Sequence, residues 1–318
     1  MPHTTTTSVP ASPTPAISLA AQERKGMWLG LVGVAVFSLT LPMTRVAVGT
    51  PDVPQMSGLF VAMARAAVAG LLSAALLWWQ GAARPTPAQW RLLALTAMGV
   101  VFGFPLLTSL AMRYVSATHA AVMTGLLPLA TAAAGALLAR QRPSKGFWLC
   151  AVLGAAMVIG FALYQSGATH LSLHAADGLL LAAILLAAVG YAYGARLSQQ
   201  MKPAHVICWA LVLSLPITLP LTWMSWPAQP VSTNAWWALA YVAVFSMWLG
   251  FFAWYQGLAL GGTVRVSQIQ LVQPILAMLA AIPLLGESLD IVSLGFGLAI
   301  IATVAIGRTM KINTPVTS

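Results

Sequence analysis

Charge is what this chain has least of. Only 6% of its 318 residues are charged, where an ordinary soluble domain carries about 25%. Five Asp and Glu with fifteen Lys and Arg cannot coat a soluble surface of this size, so a soluble multidomain protein is excluded. Carboxylates are the scarcest group. Glu23, Asp52, Asp177, Glu287 and Asp290 all fall in loops or at the ends of apolar runs. No long apolar run carries a carboxylate at its middle.

Other absences narrow the chemistry. The two cysteines, Cys150 and Cys208, lie inside apolar runs and read as inert thiols, with no disulfide framework. There is no GxxxxGK[ST] motif for ATP hydrolysis and no HExxH zinc motif. The five histidines are dispersed. His170 and His174 have helical i,i+4 spacing but no evident third ligand, so they read as interfacial residues and no metal is expected. No cofactor is implied, and the chain is not expected to be an enzyme. The net charge of +10 is carried by basic residues scattered singly, with no patch or stripe for nucleic acid.

What is present in abundance is apolar sequence, 59% of the chain, with a mean hydropathy of +0.86. A spanning helix needs about 20 mainly apolar residues. Ten such segments are expected, at 27–48, 57–79, 91–111, 117–139, 146–164, 177–197, 204–225, 236–258, 263–285 and 290–308. Residues 1–26, rich in Thr, Ser, Pro and Ala, are expected to form a disordered cytoplasmic tail, and 309–318 a second tail. With the N-terminus cytoplasmic, twelve basic residues lie at cytoplasmic ends and only Arg113 lies in an outer loop. Trp28, Trp78, Trp79, Trp90, Trp148, Trp226, Trp236 and Trp237 fall near segment ends, as interfacial aromatics do. The expected fold is therefore an all-α multi-pass membrane protein of ten helices with both termini cytoplasmic.

The chain also repeats itself. With Pro128 set on Pro274, Leu137-Leu138-Ala139-Arg140-Gln141 falls on Pro283-Leu284-Leu285-Gly286-Glu287. Near the start of each half, Phe37 through Arg45 resembles Ala188 through Arg196. Each half, 27–164 and 177–308, has five segments, so the second must enter the membrane from the opposite side. That is the inverted repeat of many secondary transporters, which place the substrate near the midplane between the halves.

On these marks the chain resembles the drug/metabolite transporter superfamily, with two EamA-type domains over roughly 29–164 and 178–308. The resemblance rests on the early pattern ending at Arg45, on Arg65, and on Tyr255-Gln256-Gly257-Leu258-Ala259 through Gln273-Pro274 to Leu285-Gly286-Glu287. One departure is Gln141, which stands where the family usually shows the helix-end Glu that Glu287 supplies in the second half. The resemblance implies export or exchange of small metabolites across the bacterial inner membrane. It further implies a cavity lined by segments 1, 3, 4, 6, 8 and 9, with segment 2 peripheral.

Candidate site residues follow from polar groups on those segments. They are Ser38 and Thr40, Thr108, Thr124, Tyr191, and Gln270 and Gln273, which share a helix face. Interhelical hydrogen bonding is the competing role for the glutamines. Phe245, Trp248, Phe252 and Tyr255 recur at spacing 3-4-3 and form one helical stripe. Such a stripe lines a cavity for a flat or apolar substrate or packs on a neighbouring helix. Pro128 and Pro274 are the expected helix breaks.

Arg45 and Arg65 are the two charges inside segments. Arg45, close to the outer interface, reads as structural or gating. Arg65 lies about 12 Å into segment 2 at 1.5 Å per residue. It either attracts a substrate carboxylate or pairs with backbone carbonyls and snorkels outward.

The sequence thus points to a transporter of a small organic metabolite, amino-acid-like or amphiphilic and aromatic, working by alternating access and directed outward. A membrane-embedded enzyme or receptor for lipid-soluble ligands is the alternative. The partners expected are the small-molecule substrate and membrane lipid. Gly295 and Gly297 permit a homodimer without establishing one.

Overall fold

Short polar segments set the helix ends. Ser57, Thr86, Ser116 and Ser232 each accept the backbone N–H three residues on, from Phe60, Gln89, His119 and Ala235, at 3.1–3.3 Å. Thr86 and Gln89 close a reciprocal cap, and Pro87 fills the first turn, where its missing N–H costs nothing. At the other kind of end, Gly286 takes a left-handed φ of +67° that a β-carbon would strain.

In the computed structural model, residues 19–138, 142–165, 175–261, 266, 269–288, 290–310 and 312–313 are described. Seven of their helices are long and apolar enough to cross a membrane. These are α1 (Ala21–Val48), α2 (Gly58–Trp79), α3 (Pro87–Ala111), α4 (Ala117–Leu138), α6 (Ala175–Leu197), α7 (Pro203–Met224) and α8 (Thr233–Gly261). Three shorter apolar helices join them: α5 (Lys145–Phe161), α9 (Gln270–Leu285) and α10 (Ile291–Gly307). The only strand pairing among the described residues sets Arg142 and Pro143 against Asn313 and Ile312. The first helix runs back to Leu19, which corrects the expected tail: residues 19–26 are helical and carry the charges of Glu23, Arg24 and Lys25 into the first turns. Residues 1–18, Arg140, Gln141, His170, His174, Arg265 and Gln268 lie outside the described residues.

Helices of the first five pack on helices of the second five. The pairs are α1 with α8, α2 with α7, α3 with α6, α4 with α9 and α5 with α10. Their contacts run antiparallel. Gln80, just past α2, meets His205 at the start of α7. Gly125 of α4 faces Pro274 of α9, while Ala117 meets Glu287 beyond it. Gly307 of α10 faces Cys150 of α5, and Thr303 faces Met157.

The α1–α8 seam is made of glycine. A methyl on Gly26 would lie 2.3 Å from the nitrogen of Gly261, and one on Gly257 would lie 2.8 Å from that of Gly30. The α3–α6 contact is alike, since a methyl on Gly99 would lie 2.3 Å from the Leu186 carbonyl oxygen. Small residues let backbones approach where lipid supplies no hydrophobic drive between helices. Outward-facing surfaces are mainly apolar, from Leu185 at mid-helix, 63% exposed, to Trp78 at a helix end, 86% exposed.

Five irregularities interrupt these helices. A turn at Leu39 divides α1, three residues before Pro42, which cannot donate to the Ser38 carbonyl. α4 breaks at Gly125-Leu126 before Pro128, and α9 tightens over Gln270–Val272 before Pro274. Pro128 and Pro274 each follow one of these two interruptions. α3 widens into π-helical turns over Met98–Gly103, and α8 does so over Val242–Leu249. Pro105, which lacks the N–H that would close an ordinary turn onto Val101, explains the first; Gly250 follows the second.

Candidate functional site

The irregular stretches converge on one internal cavity. It is lined by Phe37, Thr40 and Leu41 of α1, Arg65 of α2, Val100, Phe104 and Pro105 of α3, and Thr124 and Leu127 of α4. The second five helices add Tyr191 of α6, Ser246, Met247 and Phe251 of α8, and Gln273 of α9. Its volume is about 30 Å³, room for one or two waters. A metabolite does not fit in that volume.

Arg65 dominates the electrostatics. Its side chain is 2% exposed, so it does not snorkel. One guanidinium nitrogen, Nη2, donates to Ser246 Oγ at 3.1 Å, while Nε and Nη1 have no hydrogen-bond partner. Ser246 also shares a 2.8 Å hydrogen bond with Thr40. This chain from α2 through α8 to α1 ties the halves together at the cavity wall. Gln273 Oε1 is likewise buried without a partner.

The structure sorts the expected residues. Thr40, Thr124, Tyr191 and Gln273 line the cavity, and so does Arg65, on a helix that the resemblance made peripheral. Ser38 and Thr108 do not line it; their hydroxyls donate to their own helices, to Ala35 at 2.7 Å and Phe104 at 2.6 Å. Gln270 is buried outside the lining, its amide nitrogen unpartnered. Pro128 and Pro274 sit one residue into the helical stretches that follow their breaks.

The aromatic stripe is displaced. Phe245 is half-exposed and stacks on Tyr241, and Trp248 packs edge-on against Phe252 outside the lining. Tyr255 is fully buried beside Gly194, where a methyl would come within 2.2 Å of the phenol oxygen. The cause is the widened stretch of α8. A turn closed by i→i+5 bonds holds one residue more than an α-turn, so a 3.6-residue period loses phase there. Ser246, Met247 and Phe251 take the inward positions. Reading the small and polar Ser246 as a break in the stripe would have exposed the shift.

Other polar groups brace the bundle ends. Arg45 donates to the Met112 carbonyl at the end of α3, and Arg113 donates to the Val48 carbonyl at the end of α1 and to the Met56 carbonyl in the connection to α2. Two helix C-termini thus exchange arginines, each cation set on carbonyls that carry partial negative charge. Glu287 receives the N–H groups of Ala117 and Thr118 at 2.7 and 2.8 Å and so caps α4 from the far half. His119 and Asp177 form a buried 2.7 Å pair between α4 and α6.

Apolar helices facing outward, with polar groups gathered inside and at the ends, define a multi-pass membrane protein. The chain belongs to the EamA-like transporter family, whose model matches residues 24–163 and again 174–308. It is 43% identical over 286 residues to the uncharacterized transporter YdeK of Bacillus subtilis strain 168, covering 88% of this chain and 96% of that protein. A crystal structure 18% identical in sequence superposes with a TM-score of 0.60 over 89% of this chain and 98% of the other, which shows a shared fold.

Proposed function

We propose that this transporter moves a small organic metabolite across the bacterial inner membrane by alternating access, outward from the cytoplasm. In this reading ten helices cross the membrane as two inverted five-helix repeats with both termini cytoplasmic. The observation that carries it is the cavity lined from both repeats. A site shared by two antiparallel sets of helices opens to one side when the sets rock one way and to the other when they rock back. The antiparallel pairing of α2 with α7, α4 with α9 and α5 with α10 supports the inversion. The cytoplasmic placement of the termini rests on the distribution of basic residues. The outward direction rests on the family likeness.

The test is flux from vesicles. Purified protein is reconstituted into liposomes loaded with a labelled panel of amino acids, organic acids and aromatic amphiphiles, and release is followed. Saturable release of at least one compound is expected. Release no faster than from empty liposomes for the entire panel, with protein shown to be inserted and folded, would overturn the reading.

A further inference from the structure

We propose that the cavity is a carboxylate site, with the Arg65 guanidinium receiving the acid group of the substrate. The inference deepens the transport reading and rests on it for the route by which the ligand arrives. It begins with a charge that lacks compensation. A guanidinium removed from water carries a large desolvation cost unless it is paired and hydrogen-bonded. Arg65 is buried, yet its one hydrogen bond goes to a neutral hydroxyl, that of Ser246. Its Nε and Nη1 groups have no partner, and neither Asp nor Glu lines the cavity. Nη2 keeps a second hydrogen, which stands parallel to an N–H of either Nη1 or Nε, so the guanidinium still offers two parallel donors that match a carboxylate in a bidentate grip.

The rest of the wall defines the rest of the ligand. Gln273 presents an unpartnered amide oxygen, an acceptor for an ammonium or hydroxyl. Phe37, Phe251 and Tyr191 supply aromatic faces, which bury short apolar or flat groups and attract a cation over the ring. The chemistry is that of a small organic carboxylate with a compact apolar tail. An α-ammonium is accommodated through Gln273 and the rings.

The experiment compares acids with their amides on the full chain in detergent. Thermal unfolding is recorded with leucine against leucinamide, phenylalanine against phenylalaninamide, and 4-methylpentanoate against 4-methylpentanamide. Each acid is expected to raise the midpoint above its amide in at least one pair. The difference should weaken about ten- to a hundredfold in apparent affinity with Arg65→Gln, the loss of a charged hydrogen-bond partner. Arg65→Lys, which keeps the charge without the fork, should recover part of it.

Preference for the amino acids alone identifies a zwitterion, and equal preference for 4-methylpentanoate identifies a simple monocarboxylate; both support the site. Acids that nowhere exceed their amides, or an acid preference unchanged in Arg65→Gln, overturn it. If Arg65→Gln fails to fold, the wild-type acid and amide comparison decides alone. Acid binding without vesicle flux would count against transport and leave the site standing. Flux without acid preference would do the reverse.

Discussion

The two halves share a scaffold and differ in chemistry. Each has a widened third helix, over Met98–Gly103 and Val242–Leu249, and each breaks its fourth helix just before a proline, Pro128 or Pro274. The charge is on one side only. Arg65 lies on α2, whereas the matching stretch of α7, Cys208 through Leu211, is apolar and buried except for the partly exposed Trp209. The first helix also differs, since α1 turns at Leu39 beside the cavity while α6 runs unbroken over Ala175–Leu197. In the proposed cycle, symmetry is kept where the bundle rocks and abandoned where it recognises its substrate. A charge duplicated on α7 would put two cations on one small cavity, and like charges in low dielectric repel strongly.

The seams test this division most severely. Gly257→Leu would drive a side chain into the backbone of Gly26 and Gly30. Vesicle flux is expected to fall at least about tenfold, because overpacking at a close contact forces the backbone to move. A cysteine placed at Thr40 should become open to aqueous thiol reagents. Gly99→Leu, at the α3–α6 contact, is expected to be as damaging. A variant of either seam that transports normally would show that the two contacts are not equivalent.

The next effect concerns the link across halves at Glu287. Glu287→Ala removes two charged hydrogen bonds from the start of α4, for a loss of about 1.5–3 kcal/mol in unfolding stability. Glu287→Gln keeps an acceptor and should lose less than the alanine variant. Equal losses for the two would mean that charge is what the second half needs at this point. The sequence carries Gln141 at the corresponding point of the first half.

Pro42→Ala asks whether the turn at Leu39 gives α1 a task that α6 lacks. It restores a donor to the Ser38 carbonyl and favours a straight helix. A several-fold change in flux is expected, with the unfolding midpoint almost unmoved. The matching change in α6, Tyr193→Pro, should instead lower stability by about 3 kcal/mol, the cost of proline inside a helix. If α6 accepts the proline, the contrast between the first helices fails.

The smallest effect lies at the last helices. Ser144 caps α5 with a hydroxyl that does not titrate, while Asp290 caps α10 with a carboxylate. Hydrogen bonds from the Ser293 hydroxyl and N–H hold the Asp290 acid below its ordinary value. A lowered carboxylate pKa contributes stability above the unfolded value, and the contribution is lost as pH falls through the folded one. Asp290→Asn should therefore narrow the stability difference between neutral and acidic pH slightly, measured by thermal unfolding. A wider difference would contradict the sign.

The helices were legible because apolar runs alternate with Ser, Thr, Pro and Gly at their ends, as at Ser57, Thr86-Pro87 and Gly286. The paired breaks were legible because proline cannot close an α-turn, so Pro128 and Pro274 mark them wherever the helices sit. The cavity was legible in part. Thr40, Thr124, Tyr191 and Gln273 were found by polarity, and the same criterion drew in Ser38 and Thr108, whose hydroxyls are spent on Ala35 and Phe104. Hydroxyls that bond backward on their own helix cannot be told by sequence from those that face a neighbour. The inward face of α8 was missed because the π-turns carry no proline to announce them. Arg65 was placed at the periphery because a family pattern assigns whole helices, while a long side chain reaches past its own helix into a neighbouring space.

The glycine seam between α1 and α8 has a consequence for the energy of the cell. It occupies the stretch from the start of α1 to the cavity at Phe37 and Thr40. Main chains in direct contact leave no column of ordered water between them, and without a water wire protons have no path. In the proposed cycle, a gate of this kind insulates the membrane against leakage of its proton gradient, and it does so by backbone contact rather than by a bulky plug.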